Sequence, residues 1–257
     1  MTLLRRGGPL LVLLPALLGP GKPASSPRQD ARIWVGRHHE IEEYLRTAEC
    51  VSMESIGANS FGRCTLRPGG PVARMAWRPQ RRGAFRGFRE SYKAEIAAYE
   101  LDKLLELDMV PPSVERQLGG SSGAAQLWVE GVAPWNNEAP PGEPERTRWT
   151  GQVVRMRMFD DLIGNPDRNR GNMLHDAEWN LILLDHSRAF PVVPGLPQRL
   201  SRVDSGFWTK IERLTRAQLE AALGAWLDHN QIEAVLERRE RMRAEIVRSP
   251  KETRRVR

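Results

Sequence analysis

The residues with the clearest chemical potential lie between Phe159 and Phe190, in FDDLIGNPDRNRGNMLHDAEWNLILLDHSRAF. A tight polar turn, Asn165-Pro-Asp-Arg-Asn-Arg-Gly-Asn172, precedes an apolar run from Trp179 to Leu184 that stops on Asp185. Asp167 and Asn172 are five residues apart, and Asp185 lies 18 beyond Asp167. Two acids and an amide at the ends of structured elements offer hard oxygen ligands on rigid backbone. A divalent ion bound to phosphates keeps several waters, so this small set is enough to hold it. The expectation is the floor of a phosphoryl-transfer site. The plainer reading makes Asn165-Pro-Asp an ordinary turn with Asx hydrogen bonds and Asp185 a helix cap.

Such a floor needs elements to position it. Cys50 to Ile56 alternates, Gly57-Ala-Asn-Ser-Phe-Gly62 turns, and Arg63 to Leu66 returns, which predicts a β-hairpin; Val72 to Trp77 reads as a third strand. Gly57 and Gly62, with Ser60 and Phe61 between them, suit a loop that lays backbone N–H groups over phosphates. Most such hairpins are only turns, and the Lys-Ser/Thr of a P-loop is missing. Ser91 to Leu107 is the clearest helix, with Ser91 as N-cap and Tyr92, Ile96, Tyr99, Leu104 and Leu105 forming its apolar face. Glu95 borders that face. It is either a solvated helix-start acid favoured by the macrodipole or a carboxylate that reaches across to a strand cation. Met109-Val-Pro-Pro112 stops the helix.

Ser113 to Arg116 and Ala124 to Val129 read as two more strands, and a short helix is expected within Ile33 to Thr47. Gln126-Leu-Trp-Val-Glu-Gly131 then breaks into a loop with Pro134, Pro140, Pro141 and Pro144. Strands precede that loop and helices follow it, which marks a boundary. Thr147 to Gly164 is expected to be helical, with Trp149, Val153, Met156, Phe159 or Asp160, and Ile163 on one side. Two last helices are expected at 216–228 and 231–247. The organisation is a signal-like or disordered segment 1–30, a small lobe 31–132, a larger lobe 133–247 and a basic tail 248–257. The fold class is α+β.

With 257 residues, of which 40% are apolar, the chain can bury a sizeable core. Its net charge of +7 is confined to the ends. Residues 1–30 carry a net +3 and residues 236–257 a net +5, so the body is close to neutral. A basic nucleic-acid groove is therefore not expected, and membrane contact is expected only through the termini. Helical periodicity with interspersed Glu makes the Arg-rich end from Arg238 a solvated helix rather than an adaptor surface. Arg5, Arg6 and the apolar run Pro9 to Leu18 resemble a secretory signal, but no A-x-A cleavage site follows. Residues 1–26 as an export signal, giving a secreted protein, and a merely disordered start on a cytoplasmic one both remain open. Cys50 and Cys64 flank the predicted hairpin, so a disulfide and two buried thiols are both compatible with the sequence.

The +5 spacing of Asp167 and Asn172 is that of kinase catalytic loops, H-R-D-x-x-x-x-N. Asp167-Arg-Asn-Arg-Gly-Asn172, followed by Leu183-Leu-Asp-His-Ser-Arg-Ala-Phe190, resembles the D-R-x-x-x-N and I-D-x-x-x-x-F signatures of atypical kinases. These comprise the phosphatidylinositol 3- and 4-kinases, the four-jointed-type secretory-pathway kinases and the HipA-type bacterial kinases. Tyr92-Lys-Ala-Glu-Ile-Ala-Ala-Tyr99 and Val110-Pro-Pro112 are similar to their Glu-bearing helix and its exit. The resemblance spans about residues 50–190 and is strongest in the catalytic turn. It implies a bilobal protein-kinase-like fold, with a β-rich N-lobe that carries one Glu-bearing helix and a mainly helical C-lobe.

It further implies ATP and Mg²⁺ or Mn²⁺ as nucleotide and metal, and a protein or lipid hydroxyl as acceptor. Asp167 would be the catalytic Asp, with Asn172 and Asp185 as metal ligands. Gly57 to Gly62 would be the phosphate loop, Glu95 the helix Glu, and Gln126 to Glu130 the adenine-binding hinge. A monomer is expected. Asp-His-Ser in place of Asp-Phe-Gly is normal for these groups. One position departs: the strand that should supply a phosphate-binding Lys, Arg74-Met-Ala-Trp-Arg78, carries Arg78, whose fork is bulkier and differently shaped. The alternative is thus a nucleotide-binding pseudokinase or interaction module without transfer activity. His186 and Arg188 face substrate phosphate or buttress the loop, and buttressing is the preferred reading.

Overall fold

A computed structural model describes residues 31–56, 61–80, 90–136, 138, 140 and 142–248, together with the backbone of 254–256. The signal-like start, most of the basic tail, and Gly57 and Ser60 of the expected phosphate loop lie outside these residues. Alternating sequence becomes a five-stranded antiparallel sheet of β1 (Cys50–Ile56), β2 (Phe61–Leu66), β3 (Arg74–Pro79), β4 (Ser113–Leu118) and β5 (Ser121–Leu127). The strands are ordered β1-β2-β3-β5-β4, and α1 (His38–Thr47) packs on the β4/β5 end. A buried cluster that includes Trp34, Ile41, Leu45, Met75, Trp77 and Leu127 fills this lobe.

β1 forms the edge of the sheet, and its inner residues are exposed on both faces, so its alternation does not mark a half-buried strand. A disulfide holds it: Cys50 bonds Cys64 of β2. Cys50 pairs in register with Leu66, two residues from Cys64 and on the same strand face, with a register shift at Val51. The two-thiol reading is therefore wrong, because the register brings the cysteines onto one face. Phe61 and Gly62 also differ from expectation. They are strand residues, Phe61 opposite Ile56 and Gly62 between Ser55 and Trp77, and not part of the turn. A Cβ on Gly62 would sit 2.5 Å from Sδ of Met53, an exposed side chain that can swing away.

Helix α2 (Tyr92–Leu105) starts where Ser91 accepts a hydrogen bond from the Lys93 N–H at 3.2 Å. It stops before the prolines, because Glu106 turns left-handed at φ 51°. Buried Asp102 then collects the N–H groups of Asp108, Met109 and Val110 at 3.1, 3.0 and 3.0 Å. Burial nevertheless pushes the Asp102 carboxyl up to about 7. Small residues Ala94, Ala97 and Ala98 let α2 pack closely into the larger core, shared with α3 (Glu145–Ile163) and the later helices. The Glu-bearing helix thus belongs to the small lobe by sequence and packs on both the β4/β5 end of its sheet and the core of the large lobe.

The proline loop already contributes to the sheet of the large lobe, where Ala133–Pro134 pairs with His175 and Leu174. Strands β6 (Ala133–Pro134), β7 (Met173–His175) and β8 (Leu181–Leu183) form a small antiparallel sheet beside α3. Helix α3 is buried around most of its circumference, including Trp149, Val154, Met158 and Leu162, so its burial does not follow the expected single stripe. Strand β9 (Arg202–Asp204), helices α4 (Ser205–Glu212), α5 (Arg216–Leu223) and α6 (His229–Arg248), and the backbone strand β10 (Arg254–Val256) complete the chain. β9 and α4 fall in a stretch with no periodic signal; Asp204 caps α4 by accepting from the Phe207 N–H at 2.9 Å. Arg238 is not a surface charge. Fully buried in α6, it donates to the carbonyls of Leu162, Pro191 and Val193. Among the described residues no helix is long and apolar enough to cross a membrane.

Candidate active site

The polar turn after α3 is organised by a residue that sequence reasoning passed over. Arg168, nearly buried, grips Asp160 with Nε and Nη2, both at 2.9 Å. Its Nη1 donates to the carbonyls of Asn172 at 3.0 Å and Leu184 at 2.8 Å. Asn165 donates to Asp160 at 2.9 Å and accepts from the Asp167 N–H at 3.2 Å. The Asn172 amide donates to the Asp167 carbonyl at 3.1 Å. The turn is thereby fixed while the Asp167 carboxylate stays partly exposed, paired with Arg188 Nη1 at 3.1 Å. One sequence signal was available: Asp160 and Asp161 end α3, where the helix dipole disfavours acids, so they need partners.

Asp185 follows β8 in a left-handed conformation, φ 56°, which non-glycine residues adopt only where the surroundings impose it. Leu184, just before it, donates its N–H to the Asn172 carbonyl at 2.9 Å, so the amide and the second acid are carried on bonded backbone. Ser187 Oγ donates to Asp185 Oδ1 at 2.8 Å. Across the cleft, Arg78 of β3 places Nη1 3.4 Å from Asp185 Oδ1 and Nε 3.4 Å from Glu95 Oε1. Glu95 is completely buried and also accepts the His186 N–H at 3.0 Å. It is therefore not a solvated helix-start acid. Burial raises its pKa, but Arg78 and His186 outweigh burial and hold it at about 2. Burial likewise opposes the charge of Arg78, yet Glu95, Asp185 and Glu90 raise its pKa above the usual guanidinium value.

His186 links the two halves. A guanidinium can only donate, so the 2.8 Å contact from Arg168 Nη2 makes His186 Nε2 the acceptor and puts the proton of the neutral ring on Nδ1. Nδ1 lies 3.8 Å from Glu95 Oε2. Burial lowers the His186 pKa and Arg168 adds to that, against the pull of Glu95. A continuous polar chain therefore runs Asp160, Arg168, neutral His186, Glu95, Arg78, Asp185.

A cavity of about 360 Å³ opens between the lobes, walled by Ala76, Leu127, Val129, Leu174 and Leu184, with Arg78 at one end. An apolar slot that leads to a cation and two acids is shaped for a flat aromatic group followed by phosphates. The Phe61 ring lies 4.8 Å from the Arg78 guanidinium. Glu130 is at the cavity rim, but its carboxylate is engaged by Arg74 through Nε at 2.6 Å and through Nη2. Asp185 and the Asn172 amide supply hard oxygens that fit Mg²⁺ or Mn²⁺. Among the described residues no three His, Cys, Asp or Glu side chains gather around one point, so phosphate oxygens and water would complete such a shell.

No protein-family model and no curated protein matches the sequence. Solved structures do. The Golgi casein kinase, in a crystal form with Mn/ADP bound, aligns at TM-score 0.63 and 15% identity over 82% of this chain and 75% of that one. Hydra Fam20, solved with sugar, aligns at TM-score 0.62 and 17% identity over 83% and 90%. The Helicobacter pylori proinflammatory kinase CtkA aligns at 0.52 and 11% identity over 79% and 94%. The chain thus has the bilobal kinase-like fold of the atypical kinases, with its antiparallel five-stranded sheet and helical lobe.

Proposed function

We propose that the chain is an ATP-dependent phosphotransferase of the atypical kinase type, which moves the γ-phosphoryl group to a hydroxyl of a protein or lipid. The observation that carries this reading is Arg78, which reaches Glu95 and Asp185 at 3.4 Å each, opposite the fixed Asp167 turn. In this reading the lobes are residues 31–132 and 133–247, and adenine lies in the apolar slot against the 126–130 hinge. Arg78 and the backbone at Phe61 and Gly62 meet the phosphates, and Glu95 orients Arg78. Asp185 and Asn172 would hold a Mg²⁺ or Mn²⁺ ion, whose chemistry is to neutralise charge on the β- and γ-phosphates. Asp167 orients the acceptor hydroxyl and accepts its proton. The Mn/ADP complex of the Golgi casein kinase, with the same fold, supports nucleotide and divalent metal as ligands. The Cys50–Cys64 disulfide suits an oxidising compartment and agrees with the export reading of residues 1–26.

A second reading has its own observation. Arg78 Nη1 lies against the acid that would bind the metal, so the guanidinium competes with the cation. In that case the chain binds nucleotide without transfer. Radiolabelled-ATP transfer to protein and lipid mixtures, with wild type and Asp167→Ala, separates the two. Transfer that vanishes in Asp167→Ala supports the enzyme. Transfer that is equal in both sinks the site assignment. Thermal stabilisation by ATP and metal with no transfer favours the pseudokinase.

A further inference from the structure

We infer that Arg188 is a catalytic residue of this site, a guanidinium that contacts the phosphoryl group during transfer; the inference rests on the phosphotransferase reading. Arg188 Nη1 is 3.1 Å from Asp167 Oδ2, and its Nη2 is 3.3 Å from Glu90 Oε1. If the acceptor hydroxyl and the phosphorus meet at Asp167, a guanidinium in contact with that carboxylate lies beside the transferring group. Buttressing accounts for the Glu90 contact. It does not account for a second guanidinium nitrogen turned onto the carboxylate that must receive the hydroxyl.

Two other described guanidiniums of the site are engaged elsewhere. Arg78 serves Glu95 and Asp185, on the metal side, and Arg168 is buried against Asp160. Arg188 instead contacts Asp167 itself, on the acceptor side. It is also held in place before any substrate arrives. Its segment leaves Asp185 in a left-handed turn, closes through the Ala189 N–H to the His186 carbonyl at 2.9 Å, and is tied to α2 where the Ser187 carbonyl accepts the Ser91 N–H at 2.9 Å. Phe190, buried and left-handed at φ 61°, anchors the far end through its N–H to the Ile163 carbonyl at 2.7 Å. Donors fixed in this way lose little to reorganisation when charge develops.

In the transfer step the acceptor oxygen forms a bond to the γ-phosphorus as the bond from phosphorus to the β–γ bridging oxygen breaks. That electron pair leaves with ADP, and the hydroxyl proton passes to Asp167. Negative charge spreads over the equatorial phosphoryl oxygens, and Arg188 donates an N–H to one of them. A guanidinium in this role contributes on the order of 10³-fold or more to kcat.

The test uses the full chain, with Arg188→Ala, Arg188→Lys and Glu90→Gln. It reads kcat, the KM for ATP, and calorimetric affinity for ADP with and without aluminium fluoride, a mimic of the transferring group. For Arg188→Ala the expected result is a kcat lower by on the order of 10³, with ADP affinity within about threefold of wild type, which also shows that the variant is folded. The gain in affinity that aluminium fluoride gives the wild type should be lost, and Arg188→Lys should recover part of it. Glu90→Gln should lower kcat by less than about tenfold. An Arg188→Ala protein that keeps the aluminium fluoride gain overturns the inference, as does a Glu90→Gln loss equal to that of Arg188→Ala. In both cases an active wild type leaves the phosphotransferase reading standing. A wild type without transfer overturns both.

Discussion

Arg78 Nε and Glu95 Oε1 face each other at 3.4 Å, and neither atom makes a hydrogen bond. The contact is thus an ion pair across the junction of sheet and helix, loose enough for the guanidinium to lean toward Asp185. An ammonium would carry the same charge on a narrower stem, whereas a neutral side chain would leave Glu95 buried and unpaired. Arg78→Met is expected to lower unfolding free energy by about 2 kcal/mol, below the full value for a sealed pair because Arg78 keeps some solvent contact. Arg78→Lys should stay within about 1 kcal/mol of wild type. Denaturant titration of both variants checks this. Equal losses would show that the charge on Arg78 is irrelevant to Glu95.

Glu95 also predicts a pH dependence. Its carboxyl is held at about 2 against an ordinary 4.5, so the folded state favours the ionised form. A depressed folded pKa contributes stability that is fully present above 4.5 and lost as pH falls from 4.5 toward 2. The contribution at neutral pH is about 3 kcal/mol. The difference in unfolding free energy between wild type and Glu95→Gln, measured from pH 7 to 2.5, should shrink across that window. A difference that stays constant with pH would contradict the assignment.

The polar turn after α3 and the strand that runs up to Asp185 were legible because their pattern is local: spacing within one turn, and an apolar run that ends on an acid. The lobes were legible because strand and helix periodicities change at a proline-rich break. What escaped was set by tertiary partners. Nothing local marks Arg168 as the residue that joins Asp160, the Asn172 carbonyl and His186, since those groups converge only in the folded chain. Glu130 looked like a hinge contact, yet Arg74, 56 residues away, claims its carboxylate. β9 and α4 were missed because they are short and follow closely on the proline-rich segment 191–197, so neither periodicity has room to show.

The Cys50–Cys64 disulfide staples an edge strand that has only β2 as its neighbour in the sheet. The residues are 14 apart, and opening a loop of that size forfeits about 3 kcal/mol through the freed unfolded chain. Reduction, or Cys50→Ser with Cys64→Ser, should lower the melting temperature by roughly 6–12 °C. Nucleotide affinity should weaken as well, because β2 carries Phe61, whose ring lies 4.8 Å from the Arg78 guanidinium. Thermal melts with and without reductant, repeated with ATP and Mn²⁺, report both effects. A reduced protein that melts with the oxidised one would mean that β1 is held by other contacts.

The Asp160–Arg168 pair makes the strongest demand on the fold. Asp160 is fully buried and receives both Arg168 nitrogens and the Asn165 amide, so its charge is balanced only while Arg168 is present. Arg168→Met removes that balance and also takes a donor from the Leu184 carbonyl and from the Asn172 carbonyl, which keeps only the Leu184 N–H to tie the turn to the strand. The expected loss is about 3–5 kcal/mol, the range for breaking one side of a buried pair. Asp160→Asn should be milder, because the amide still accepts from Arg168 and the guanidinium keeps its two carbonyls. The double variant Asp160→Asn with Arg168→Met should be less destabilised than the sum of the singles, since the uncompensated carboxylate is gone. Denaturation of all four proteins closes the cycle. Strict additivity would mean that Arg168 stabilises the turn through its carbonyl contacts alone, and that Asp160 acts independently of it.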